Sequence, residues 1–333
     1  MRATTAATTR PDYLPPASFY DDSMVQTKTK VDATMALDTA WQCYRGIWQP
    51  AAVDTHKIAY VHIDDQYCFM DDGELPVPGS YGDIMAETHL TYRLGGKVKT
   101  HVLTGDQHPP LAIYFPEWWF AGKDWTDDYG HKYRRGERPL DNTLIPLEAI
   151  DDGRWVARFE TAWSHSYPAR LKADGRQPLM VWAHHGHEGT HSANIVAVLM
   201  EAILVCSYGR MTKPIFIGKG RSSVSEHFSP LEYEVPIPGV PQLNERQLQV
   251  LEEHDEIWIS GRALSHCEMA YVRTLVKYFG VKDPGVLKRV KILMDTTHSV
   301  VVPGIDFHGI ALQQFEDWRK QYGIELLNST DLD

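Results

Sequence analysis

From residue 57 onward the chain alternates short apolar runs with stretches of helical periodicity. That rhythm restricts the fold to a mostly parallel sheet with helices on both faces, an α/β class in three layers (α/β/α). The runs predict strands at Ile58–Ile63, Val98–Leu103, Leu179–Trp182, Pro214–Ile217, Glu256–Ser260, Val290–Met294 and Ile324–Leu327. Between them, Val272, Leu275, Val276 and Phe279 recur at spacings of three and four, one face of a helix. Phe307, Ala311, Phe315, Trp318 and Tyr322 do the same. Asn244 with Gln247 has the form of a capping box opening a further helix. Asn194 to Cys206 is apolar nearly all round, which predicts a buried helix.

Residues 51–330 read as one domain, preceded by an N-terminal extension over 1–50. The first 20 or so residues are rich in Thr, Ala and Pro and read as a flexible tail without a signal-peptide apolar region. A short helix is expected within 32–50. Residues 116–178 break the strand–helix rhythm with Trp, Tyr, Asp, Arg and Gly. They read as an insertion over one end of the sheet, a lid or an oligomer contact, with Trp118, Trp119, Trp125 and Trp163 near the mouth of a site.

Composition removes several classes. With 33 Lys and Arg against 44 Asp and Glu, the net charge is −11, the wrong sign for a nucleic-acid partner. No apolar run reaches the roughly 18 residues of a membrane span. Four cysteines do not make a disulfide scaffold, so a reducing, cytoplasmic setting is expected.

In a parallel sheet, chemistry collects at the carboxyl ends of strands. The first predicted strand delivers Asp64, Asp65 and Gln66, the second Asp106 and His108. Two adjacent acids are often a solvated turn, but a buried one is a candidate base. The third strand delivers His184, His185, His187 and His191, four histidines within eight residues. Three ligands with an open position make a catalytic metal centre, and Asp106, His108 and one of these histidines would supply it. The fourth strand ends in Lys219 between two glycines, without the phosphate-binding loop pattern. Near Gly261 another strand ends, and a helix begins near Ser265, so Cys267 falls in its first turn. A helix N-terminus lowers a thiol's pKa, and its free N–H groups can hold an oxyanion. Each signal alone has a plain structural reading: a polar loop, a solvated lysine, a buried cysteine.

Taken together the segments resemble the nicotinamidase/isochorismatase-like cysteine hydrolases. Asp64-Asp-Gln66-Tyr-Cys-Phe69 with Val77-Pro-Gly79 resembles the family's opening element, and Asp106-Gln-His108-Pro its metal element. Trp182-Ala-His-His185 with Gly189-Thr190 resembles the Trp-Pro-x-His and Gly-Thr pair, a register that selects His185. Lys219-Gly220 with Glu226-His-Phe-Ser229, and Gly261-Arg-Ala263-Leu-Ser-His-Cys267, complete the set in family order.

The resemblance implies the isochorismatase-like hydrolase fold and a triad of Asp64, Lys219 and Cys267. It implies an oxyanion hole from the backbone N–H groups of Ala263 and Cys267, with a cis Arg262–Ala263 peptide. It also implies a divalent metal, zinc foremost with manganese, iron or magnesium as alternatives, on Asp106, His108 and His185. Gln66, Phe69, Trp182 and His266 are the expected pocket residues. The implied activity is hydrolysis of a small, nicotinamide-like amide through a Cys267 thioester, releasing ammonia, in a homo-oligomer. A carbamoyl or ureido substrate for the same triad, or a non-catalytic binding role, are the alternatives. Ala112 stands where nicotinamidases often carry a further histidine, and Ala183 replaces the usual proline.

Overall fold

Strand β1 (Ile58–Ile63) is buried along its whole length. A strand buried on both faces must be apolar in both registers, and each register here feeds a different core. Ala59, Val61 and Ile63 pack with Ile257, Val272, Leu275, Phe315 and Trp318. Ile58 and Tyr60 pack on the other side with Leu90, Leu94 and Trp258. The computed structural model describes residues 19–44 and 48–333. The first 18 residues of the expected tail therefore lie outside the described residues.

Five further strands join β1: β2 (Val98–Asp106), β3 (Ile215–Lys219), β4 (Glu256–Gly261), β5 (Val290–Leu293) and β6 (Glu325–Leu327). Their order is β6-β5-β4-β1-β2-β3, and every pairing is parallel. The chain starts at the centre, winds out to one edge, returns, and winds to the other. The strand order thus reverses between β1 and β4, where helices leave on opposite faces and open a crevice at the carboxyl ends. Helices α1 (Ser80–Leu94), α2 (Ala197–Gly209), α3 (Met269–Lys282) and α4 (Phe307–Tyr322) are the main cover. In α4, Phe307, Ala311, Phe315 and Trp318 are buried, as their spacing predicts. Asn244 caps its helix by accepting from Gln247 N at 3.2 Å.

The predicted third strand is a correction. Met180–Val181 pairs antiparallel with Thr143–Leu144, apart from the central sheet. A short apolar run satisfies any sheet that buries it, and sequence does not say which. The histidine-rich segment therefore reaches the site on a loop outside the main sheet.

Residues 116–178 fold into short strand pairs, Trp119–Ala121 with Trp155–Ala157 and Trp125–Thr126 with Lys132–Tyr133, and helices Leu147–Asp151 and Thr161–Ala173. Their aromatic residues are anchors. Trp118 Nε1 donates to Ser164 Oγ at 2.9 Å, Trp119 Nε1 to Ile113 O at 2.7 Å, and Trp163 Nε1 to Val224 O at 2.7 Å. Of the N-terminal extension, helix Ala33–Thr39 sits on α2: Asp32 N donates to Glu201 Oε1 at 2.6 Å and Lys28 pairs with Glu201 at 2.8 Å. Among the described residues no helix is long and apolar enough to cross a membrane.

Candidate active site and metal centre

Four strand ends converge on the crevice. β1 ends at Ile63 and hands on to Asp64, whose φ of +53° is unusual for a non-glycine residue and costs about 1–2 kcal/mol. β4 closes against it through Gly261. A Cβ there would sit 2.0 Å from Ile63 O, so only glycine permits the approach. Beyond Gly261 the Arg262–Ala263 peptide is cis. The chain then makes one wide helical turn, Leu264–Glu268, in which Glu268 N reaches back to Ala263 O at 3.2 Å before α3 begins.

These ends bring together three groups that lie far apart in sequence. Lys219 Nζ lies 2.9 Å from Asp64 Oδ2 and 3.5 Å from Cys267 Sγ. It also contacts Asp106 Oδ1 at 2.6 Å. Thr104 Oγ1 donates to Asp64 Oδ1 at 2.7 Å and fixes the carboxylate. All are buried. Burial opposes a charge on Lys219, but Asp106 and Asp64 outweigh it and hold the ammonium charged well beyond the ordinary range. Burial raises Asp64, with Lys219 opposing. Burial also pushes the Cys267 thiol well up, against the pull of Lys219. This corrects the expectation of a thiol activated by its helix terminus. The turn sits so deep that desolvation of a thiolate exceeds the benefit of the helix end, and Sγ rests as a protonated thiol beside a carboxylate. Ala263 lines the same pocket, and its N–H donates to no acceptor among the described residues.

Asp106 links this group to a second cluster. Asp106, His108 and His185 bring ligand atoms within 4.8 Å of one another, and all three are buried. His108 Nε2 and His185 Nε2 face each other at 3.3 Å, with Asp106 Oδ2 at 3.4 Å and 3.8 Å from them. The outer ring nitrogens test whether a cation fits. His185 Nδ1 is 2.7 Å from Ala183 O, and His108 Nδ1 is 3.0 Å from Gly220 O. A carbonyl only accepts, so His185 Nδ1 carries the proton; the Tyr114 hydroxyl, 2.9 Å from His108 Nδ1, has Gly220 O at 2.8 Å to donate to, which leaves His108 Nδ1 as a donor too and both Nε2 atoms with a lone pair. Two lone pairs and a carboxylate oxygen around one point suit a divalent cation. Burial, then neighbouring His108, pushes His185 down to about 3, so its Nε2 stays open as a ligand. Burial works against the Asp106 charge, yet His108 and Lys219 hold its carboxyl below the usual range. Gly220, at φ +72°, lets His108 pack on it; a Cβ would stand 2.4 Å from the ring.

A cavity of about 40 Å³ lies against both groups. Its wall includes Phe69, Trp182, Glu226, Phe228 and His266 beside Lys219, Ala263 and Cys267. Three of the four expected pocket residues are thus on the wall. Gln66 is not: its Nε2 donates to Asp106 O at 2.9 Å and Ala193 O at 2.7 Å, and its Oε1 accepts from Asp106 N at 2.6 Å. It fixes the backbone of a candidate ligand instead. The tryptophans expected near the mouth are also absent from this wall. Their segment stands behind it: Tyr167 Oη accepts from Glu226 N at 2.9 Å, and Trp182 Nε1 donates to Glu226 Oε1 at 2.7 Å. Of the four histidines only His185 faces the cavity. His184 is spent on Glu117 at 2.6 Å and His187 at 3.0 Å.

Sequence reasoning did not foresee that the side chains of Asp65 and Arg262 meet. Both side chains are fully buried. The Arg262 guanidinium pairs with Asp65, meets Glu87 Oε1 at 3.0 Å and lies 3.8 Å from Asp83. Burial and the Glu87 charge raise Asp65 far above its ordinary range, while Arg262 overcomes burial and keeps Glu87 ionised. Asp65 and Glu87 thus share one guanidinium between two buried acids. The cluster ties the residue after Asp64 to the residue before Ala263.

Glu268, next to Cys267, is a separate buried acid. Its Oε2 accepts from Thr297 at 2.7 Å while Oε1 has no partner, and burial pushes it to about 8 from an ordinary 4.5. Between those values the folded chain binds more protons than the unfolded chain, so stability falls as pH rises. Glu268→Gln is expected to flatten that loss, of up to about 1.4 kcal/mol per pH unit, in urea unfolding between pH 5 and 8. Equal slopes for both proteins would refute the assignment.

A parallel sheet wound from its centre, with a thiol, a carboxylate and an ammonium over the switch point and a three-ligand cluster alongside, is a doubly wound α/β fold with its candidate site at the switch point. Among solved structures, a yeast nicotinamidase is similar with a TM-score of 0.52 and 17% identity, over 82% of this chain and 99% of that one. A nicotinamidase/pyrazinamidase of Acinetobacter baumanii gives 0.50 and 17%, over 84% and 100%. PnC1 from L. infantum, solved with nicotinate, gives 0.50 and 15%, over 84% and 97%. No family model and no curated protein sequence matches. The chain has the fold of these nicotinamidases.

Proposed function

We propose that this chain is a cysteine amidohydrolase that cleaves the C–N bond of a small amide, a heteroaromatic amide of the nicotinamide kind foremost. The observation that carries the reading is Lys219 Nζ at 2.9 Å from Asp64 and 3.5 Å from Cys267 on the wall of one cavity. The nicotinamidase fold is consistent with it.

Asp64 takes the Cys267 proton as Sγ attacks the amide carbonyl carbon, because a buried thiol does not ionise by itself. The carbonyl oxygen gains charge and accepts from the N–H groups of Ala263 and Cys267, worth on the order of 3 kcal/mol of barrier per donor. Asp64 returns the proton to the amide nitrogen, ammonia leaves, and Sγ holds the acyl group as a thioester. Asp64 then deprotonates water, which attacks the thioester carbon; the acid departs and the thiol is restored. Lys219 keeps its charge throughout and holds Asp64 and Asp106 in place. A divalent metal on Asp106, His108 and His185, zinc foremost given two nitrogen donors and one carboxylate, would supply a Lewis acid for a heteroatom of the substrate.

The metal is tested by elemental analysis of the purified protein. About one equivalent is expected, and His185→Ala is expected to lose it while keeping its far-UV spectrum. An equal metal content in both proteins, or none in the wild type, would overturn the ligand set. Activity is tested by ammonia release over a panel of small amides and ureides.

A further inference from the structure

A second cavity, of about 400 Å³, adjoins the first, and the two share Trp182, Phe228 and His266 as a common wall. Its other walls come from Leu144 and the Gly175–Met180 segment on one side and from helix α4 on the other. The small inner cavity holds the reacting groups, and most of the available space lies beyond the three rings.

Hydrogen-bond accounting fixes what His266 offers. Ser265 is buried, and its Oγ already accepts from Val300 N at 3.1 Å. Among the described residues the one acceptor within reach of its hydroxyl proton is His266 Nδ1, at 2.9 Å. Ser265 therefore donates, and the His266 proton sits on Nε2. The ring is only 4% exposed and is held edge-on by Trp182, Phe228 and Phe307. Burial pushes it down to about 3, so it stays neutral with a single N–H. Among the described residues that N–H has no acceptor. On the wall shared by two cavities, a donor with no protein partner is free to bind a ligand acceptor.

The outer cavity carries no net charge to recruit an ion. Its two guanidinium groups are answered by carboxylates: Arg176 meets Glu232 at 2.9 Å, and Arg273 meets Glu234 at 3.0 Å. Apolar side chains, among them Met180, Met269, Phe307 and Ile310, line much of the rest.

We propose that the natural substrate is a primary amide larger than a single ring: an uncharged, mostly apolar arm lies in the outer cavity, and His266 Nε2–H binds an acceptor, such as a second carbonyl, where the arm passes it. Phe228, the least buried of the three shared rings, turns to join the two spaces. This rests on the amidohydrolase reading of the inner pocket.

The test uses binding to the full-length Cys267→Ala protein, so that it does not depend on turnover. Hippuramide, a primary amide with a second carbonyl and a phenyl arm, is compared with nicotinamide by calorimetry. Hippuramide is expected to bind at least tenfold more tightly. Adding Ile310→Trp, at a half-exposed helix position that accepts a larger ring, is expected to erase that advantage. Adding His266→Phe, which keeps the ring and removes the donor, is expected to cut it roughly fivefold. Nicotinamide binding as tightly as hippuramide, or an advantage that survives Ile310→Trp, would overturn the proposal. Hippuramide bound as expected while the wild type releases ammonia from neither hippuramide nor any amide of the panel would sink the amidase reading and leave the cavity assignment standing.

Discussion

Cys267→Ala is expected to lower ammonia release from the true substrate by roughly 10⁴-fold or more, with folding and metal content kept. The size of the effect follows from the division of labour. In the proposed mechanism Asp64 moves the proton of one sulfur and the Ala263 N–H meets the oxyanion that only the attack of that sulfur creates, so without it neither has a step to assist. The substitution removes one buried sulfur, so its cost in stability is small beside its effect on rate. Activity measured beside far-UV spectra and metal analysis separates the two. Wild-type activity in this variant would end the nucleophile assignment and the thioester with it.

Arg262→Met is expected to cost about 3–5 kcal/mol in urea unfolding, the largest stability effect of any single change considered. Arg262 is fully buried among Asp65, Glu87 and Asp83, and methionine fills much of the same space without the charge. What remains is Glu87 buried beside two acids without the guanidinium that kept it ionised, left either to hold a stranded charge or to take up a proton. The double variant Arg262→Met with Glu87→Met removes the stranded charge and is expected to regain a large part of the loss. A single variant as stable as wild type, or a double variant no better than the single, would show that the cluster is not an ion network. Because the guanidinium ties Asp65, the residue after Asp64, to the residue before Ala263, its loss is expected to loosen the proposed base and the proposed oxyanion donor together.

Several features were legible in the sequence because they depend on local pattern. The β1 segment was legible because six consecutive apolar or half-apolar residues leave no polar face. Helix α4 was legible because Phe307, Ala311, Phe315 and Trp318 fall on one stripe. Asp106 and His108 were legible as a pair because two residues in extended chain share a side.

Other features were not legible, each for a physical reason. The Met180–Val181 run was assigned to the wrong sheet, because a short apolar strand carries no address. Gln66 was taken for a pocket residue, but its amide is consumed by the backbone of Asp106 and Ala193. The Cys267 thiol was expected to be acidic from its place in a helix, but its pKa is set by burial, which a sequence does not display.

The sequence by itself determined the class of fold and the chemistry each segment could deliver, because periodicity and residue type act over a few neighbouring residues. The resemblance had already selected His185 and Asp64; only the tertiary structure decided that His184 turns to Glu117 and His187, that Asp65 meets Arg262, and how much space lies beyond His266. Those outcomes depend on distances between segments up to 200 residues apart and on the water excluded between them, and neither exists until the sheet has closed.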